Sequence, residues 1–287
     1  MNELMIFGIF ILITIVFMVI NRKNIELKPM LRIPIPFTKH KLPVIYMVLW
    51  HTQLDLEWLK QVALSHKKLI TWVGNFTIIL AVLAVIITTF ALIKNITDIL
   101  LIPETVSTAA VMLVLPFKTQ SHLYVPILFW LISIFVIALV HEGGHAMLAM
   151  AHGIPIRSAG LAFFCLGIPV IPAAFVEPNQ SVVLTKTKKQ QLSFFAAGSG
   201  FNMLIGLLFL GIFLFVRGFE ILWVSQLLFW LTILNLGVGM FNVLPIVPLD
   251  GGHMVRTMIK GKNKQGWVVG IFSTLFIMLL ICPYFLR

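Results

Sequence analysis

Two acidic residues stand where acids are scarce. Of the ten Asp and Glu in this 287-residue chain, Glu142 and Asp250 sit at long apolar runs and within distinctive motifs. An ionisable group at membrane depth is costly and points to function. Glu142 belongs to His141-Glu142-Gly143-Gly144-His145. On a helix, residues four apart share a face, so both imidazoles can reach one ion. Zinc takes imidazole nitrogen readily, and a catalytic zinc keeps one position for water. Glu142 would then act as general base towards that water. The plainer alternative is a buried polar cluster that ties helices together. Gly143 and Gly144 each cost a helix up to about 1 kcal/mol relative to Ala. Their presence suggests close approach, either of a neighbouring helix or of a substrate backbone.

A catalytic zinc site usually needs a third protein ligand. His152 shares the helix face with His145 but lies two turns on, about 10 Å away, and cannot reach the same ion. The metzincin pattern would need His at position 151, which is Ala151. Asp250 is the natural choice. It follows Asn242-Val243-Leu244-Pro245-Ile246-Val247-Pro248-Leu249 and precedes Gly251-Gly252. Two prolines and two glycines break a helix there and let a carboxylate turn inward. His253 is the competitor, with a loop at the cytosolic surface as its simpler setting.

The elements that must position these residues are set by composition. The chain is 60% hydrophobic and 11% charged, against about 25% charged in soluble domains. Six apolar runs are long enough to cross about 30 Å of hydrocarbon: 4–20, 76–93, 123–140, 192–216, 221–249 and 267–286. Thr105–Phe117 is too short to span and reads as a re-entrant or interfacial piece. The first run carries Glu3 before it and Arg22 and Lys23 after it, which suits an anchor with its N-terminus outside rather than a cleaved signal. Segments 21–71, 153–190 and 250–266 hold 17 of the 21 Lys and Arg. That asymmetry places them in the cytosol and both termini outside. It also accounts for the net charge of +11 without any nucleic-acid partner. Cys165 and Cys282 are far apart and read as core residues, not as a disulfide or metal pair. Within 21–71, Leu54, Trp58, Val62 and Leu69 recur at roughly helical spacing beside Lys60, Lys67 and Lys68. This suggests an amphipathic helix at the interface, or else a solvated linker helix. The organisation expected is an anchor plus cytosolic amphipathic segment over 1–70 and a membrane core over 71–287.

Two motifs together carry a resemblance. His141–His145, and the Asn242…Pro245…Leu249-Asp250-Gly251 segment about a hundred residues later, resemble the site-2 protease family of intramembrane zinc metalloproteases. The resemblance covers about 71–287. It implies an all-α polytopic membrane protein of about six spans, with a re-entrant loop or β-hairpin near the active site. It implies Zn²⁺ held by His141, His145 and Asp250, and Glu142 as catalytic base. Asn242 would position substrate or donate to the oxyanion, with helix packing as its alternative role. A Gly-x-x-x-Asn element of the family is matched by Gly198-Ser199-Gly200-Phe201-Asn202, with Ser199 where many members have proline; Asn202 is the second candidate for substrate binding. Phe175-Val176-Glu177-Pro178-Asn179 resembles a stretch of archaeal-type members. No PDZ or CBS domain, which many relatives carry, is recognisable. Relatives place a re-entrant β-hairpin where Gly153–Val176 lies. A strand edge beside the metal could capture an extended substrate; the alternative is a hydrophobic loop packed on the bundle. The implied activity is cleavage of transmembrane segments of membrane-anchored proteins. Independently, the 18 residues from Leu123 to His141, about 27 Å of helix, and the charge asymmetry put the site in the cytosolic half of the bilayer. The alternatives are a membrane metal transporter, which also places His and Asp in spans, and an inactive protease-like scaffold.

Overall fold

A computed structural model of the protein describes residues 3–34, 41–52, 56–101, 114–116, 123–219, 221–259 and 261–285. In chain order these form α1 (Glu3–Ile20), β1 (Ile25–Pro34), β2 (Lys41–His51), α2 (Glu57–Ser65), α3 (Lys67–Leu101), β3 (Val114–Leu115), β4 (Leu123–Tyr124), α4 (Ile127–Ala151), β5 (Ile156–Leu166), β6 (Ile168–Pro178), α5 (Gln180–Thr185), α6 (Lys188–Val216), α7 (Leu222–Asn242), α8 (Asp250–Met258) and α9 (Lys262–Phe285). Among the described residues, six helices are long and apolar enough to cross a membrane: α1, α3, α4, α6, α7 and α9. They coincide with the six expected runs, so this is a helical, multi-pass membrane protein.

The boundaries differ where local chemistry extends or cuts a helix. α3 runs beyond its apolar stretch, and Lys94 pairs with Asp98 one turn on, an i,i+4 link that supports the extension. α6 starts on a capping box in which Thr187 and Gln190 satisfy each other's backbone amides. The fifth run ends its helix at Asn242, because Pro245 and Pro248 cannot continue it. Most of Thr105–Phe117 lies outside the described residues. Leu54, in the expected amphipathic helix, also does. The rest of that pattern divides between two helices: Trp58 and Val62 lie exposed on α2, and Leu69 lies exposed on α3.

Helices in lipid associate through close packing rather than through escape from water. The buried contacts around α4 and α6 accordingly include Ala146, Ala149, Ala196 and Ala197. Gly144 faces the Ala197 carbonyl and Phe201 of α6, whereas a Cβ added at Gly143 would meet no other element within 4 Å among the described residues.

The expected hairpin is present as β5 and β6, and it is half of a larger sheet ordered β1-β2-β5-β6. The first two strands come from the N-terminal segment, and β2 pairs antiparallel with β5 from Ile45↔Leu166 to His51↔Gly160. Val48, Phe163 and Cys165 are buried where this sheet packs on the end of α1, with Phe17 edge-on to Trp50 at 5.0 Å. β6 is an outer strand of this sheet, and it lies against α4.

Candidate metal centre

α4 carries the H-E-x-x-H residues in its C-terminal half. His141 and His145 lie one turn apart with rings 4.9 Å between centroids. Their Nε2 atoms converge on one carboxylate: His141 Nε2 is 3.4 Å from Asp250 Oδ2, and His145 Nε2 is 3.4 Å from Asp250 Oδ1. The three ligand-type atoms lie within 4.8 Å of one another.

Asp250 reaches this position because the chain folds back after α7. Residues 243–249 form a turn with a cis peptide at Val247–Pro248. The turn is braced by α9, where Ser273 Oγ accepts from the Val247 amide at 3.1 Å. Leu244 and Ile246 are buried against Leu92 and Phe276. Asp250 then opens α8, where an acidic side chain suits the helix N-terminus. Gly251 has no space for a side chain, since an added Cβ would meet the Val243 carbonyl.

The remaining ring atoms test whether a metal fits. His145 Nδ1 lies 2.9 Å from the Phe194 carbonyl. That contact keeps the proton on Nδ1 and leaves Nε2 free as a donor to a cation. His141 Nδ1 lies 3.3 Å from Asn202 Nδ2, and the buried Asn202 Oδ1 has no hydrogen-bond partner among the described residues. Turning that amide over would set Oδ1 against Nδ1–H of His141, the tautomer that a metal on Nε2 requires. Gly198 closes the wall behind the rings, because an added Cβ would collide with the Nε2 atoms of both histidines. Two imidazoles with their outer nitrogens engaged and one inward carboxylate are a donor set suited to zinc.

Glu142 lies beside this group, and its Oε2 accepts from the Val176 amide of β6 at 2.8 Å. The Val176 N–H therefore points away from β5, although Val176 is opposite Ala159 in the ladder. Alternation then turns Ala174 and Pro172 outward too. Pro172 fits this register, since it has no N–H to lose.

The sequence profile of peptidase family M50 matches residues 129–223 and 219–282, which together cover more than half of the chain, including both motif segments. The chain belongs to peptidase family M50. Among similar proteins, a zinc metalloprotease of Methanocaldococcus jannaschii is 28% identical over 142 residues, covering 47% of this chain and 36% of the relative. Rip3 of Mycobacterium tuberculosis, provisionally named a zinc metalloprotease, is 27% identical over 155 residues, covering 52% of this chain and 37% of the relative. The matched part thus spans little more than a third of either relative. Membership of M50 agrees with the resemblance to site-2 proteases.

Of the other residues singled out by sequence, Asn202 touches the ligand group through His141, and the rest lie elsewhere in this M50 core. His253 stacks on Phe195 at 5.1 Å and is not in the three-residue group. Burial pushes its pKa down, helped by Arg256. His152 bonds Ser193 Oγ at 2.8 Å. Asn242 ends α7 and is partly exposed, whereas Asn202 is fully buried. Sequence reasoning missed two contacts. The Phe194 carbonyl leaves no trace in residue type. Ser199 Oγ donates to Asp250 Oδ2 at 2.8 Å, and its one signal was a hydroxyl at a position where the resemblance leads one to expect proline.

Proposed function

We propose that this chain is an intramembrane zinc metalloendopeptidase that cuts transmembrane segments of membrane-anchored proteins. The observation that carries the reading is the convergence of His141, His145 and Asp250 beside the Glu142 carboxylate. His141, His145 and Asp250 would hold Zn²⁺. Zinc supplies Lewis acidity, polarising a peptide carbonyl and making water easier to deprotonate. Glu142 takes the proton from the attacking water and returns it to the leaving amine. Asn242, at the partly exposed end of α7, positions the substrate chain. The open side of Gly143 leaves room for a substrate backbone.

The substrate must be unwound, because a helix hides its carbonyls in hydrogen bonds. In lipid the freed amides need partners at once. The outward edge of β6 can supply them from Ala174 to Val176, next to Glu142, by adding the substrate as a strand. The core is 71–287, with 1–70 contributing the anchor, two strands of the sheet and α2.

Depth and orientation support the reading. His141 lies fourteen residues after the start of α4, about 21 Å along the helix and past the middle of about 30 Å of hydrocarbon. With 17 of 21 Lys and Arg in 21–71, 153–190 and 250–266, that end is cytosolic and both termini are outside. A metal transporter needs ligand stations along a path, and among the described residues this is the one such group of three. The test is cleavage of a single-span substrate by the protein in proteoliposomes. Zinc-dependent cleavage that Glu142→Gln abolishes supports the proposal. Zinc flux without cleavage would replace it with the transporter.

A further inference from the structure

We infer that Ser199 is a positioning residue that fixes the Asp250 carboxylate for the metal. The inference rests on Asp250 being a zinc ligand, as proposed above. α6 supplies no ligand, yet it touches all three: the Phe194 carbonyl engages His145, Asn202 engages His141, and Ser199 engages Asp250. Each imidazole is oriented by its contact at Nδ1. A carboxylate turns about a broad, roughly two-fold torsion, so its plane must be set from outside.

The two histidines cannot do this once a cation takes their Nε2 atoms, because those atoms then have no proton to give. The Ser199 hydroxyl is then the remaining side-chain donor to Asp250 among the described contacts. It bonds Oδ2 at 2.8 Å, and so distinguishes the two oxygens. Ser199 is 0% exposed, and a buried hydroxyl needs a partner; the carboxylate is that partner. Its backbone is also fixed, since the Ser199 carbonyl lies so close to Gly239 of α7 that an added Cβ there would come within 2.8 Å. Proline, common at this position in the resembling family, offers no hydroxyl, so the device belongs to this chain's own sequence.

The test is zinc affinity of the purified full chain in nanodiscs, measured by chelator competition. Loss of an outer-shell partner weakens metal binding by about 10–100-fold, and Ser199→Ala should fall in that range. Ser193→Ala, which removes another buried hydroxyl of α6 that touches no ligand, should keep wild-type affinity. In an Asp250→Asn background, Ser199→Ala should add no further loss. With cobalt(II) in place of zinc, the visible absorption should shift in Ser199→Ala and not in Ser193→Ala. Should Ser199→Ala accumulate poorly, Ser199→Gly removes the same hydroxyl and is read the same way. Unchanged affinity with an unchanged cobalt spectrum overturns the inference, and so does an equal loss in Ser193→Ala. Full zinc occupancy in Asp250→Ala would instead overturn the ligand assignment itself.

Discussion

His141, His145 and Asp250 present one atom each to a common point, so removing one should disable the set. Asp250→Ala should reduce bound zinc to below about a tenth of wild type at equal free zinc, read by elemental analysis of purified protein. Full occupancy would refute the assignment. Glu142 is not in the ligand group. Glu142→Gln should therefore keep its zinc while cleavage falls by about 10²–10⁴-fold, the usual range for a lost general base. If zinc is lost as well, Glu142 is acting on the metal rather than on the substrate. His152 carries a separate prediction. Burial lowers its pKa, and Lys186 and Lys67 lower it further. The folded protein thus keeps it neutral at a pH where the unfolded chain would take a proton. Its contribution to stability is intact above about pH 6.5, the unfolded value, and is lost as pH falls towards the depressed folded value. The drop in Tm between pH 7.5 and pH 5.5 should be smaller in His152→Gln than in wild type. Equal drops would mean that other groups govern acid sensitivity.

Among the elements, β6 offers the sharpest test, because its two edges do different work. One edge pairs with β5, and the other turns the Val176 amide to Glu142. Ala174 faces outward in the same register, as Pro172 does. Ala174→Pro would remove an outward amide while leaving the β5 ladder intact. Cleavage in reconstituted bilayers should slow by about two- to tenfold, in line with the loss of one net hydrogen bond, with zinc content unchanged. Unaltered cleavage would show that substrate does not add to this edge. The turn at 243–249 is the second decisive element. Pro245 and Pro248 end α7, and the glycines beyond let α8 fold tightly back, which turns Asp250 towards α4.

For the whole molecule, the proposed orientation and substrate class can each be tested. Cysteines introduced at 183–190, in a chain lacking Cys165 and Cys282, should resist labelling by impermeant reagents added outside intact cells. Efficient labelling would invert the topology. If the site lies as deep as proposed, about 21 Å along α4, folded domains would not reach it, and substrates should be single spans already trimmed on the outer side. Gly and Pro weaken a helix by about 1 and 3 kcal/mol relative to Ala. Replacing them with Leu near the scissile bond should slow cleavage without preventing docking. Indifference to these changes would mean that unwinding does not limit the reaction.

Much of this was written in local patterns. The six spans follow from apolar length, and the candidate site from two motifs whose polar residues interrupt apolar runs. β1 was not among the expected elements, although Ile25, Glu26, Leu27 and Lys28 alternate as a strand should. Nothing local, however, joins β2 to a strand more than a hundred residues later, because pairing depends on where α1 and α4 leave the bundle. Ser199 shows the same limit at the site. Its type could be read from the chain, but its hydrogen bond to Asp250 spans fifty-one positions. Apolar periodicity and helix breakers act over a few residues and are therefore legible in sequence. Which carbonyl faces a ring, and which hydroxyl holds a carboxylate, depends on how helices distant in sequence pack, and only the tertiary structure decides it.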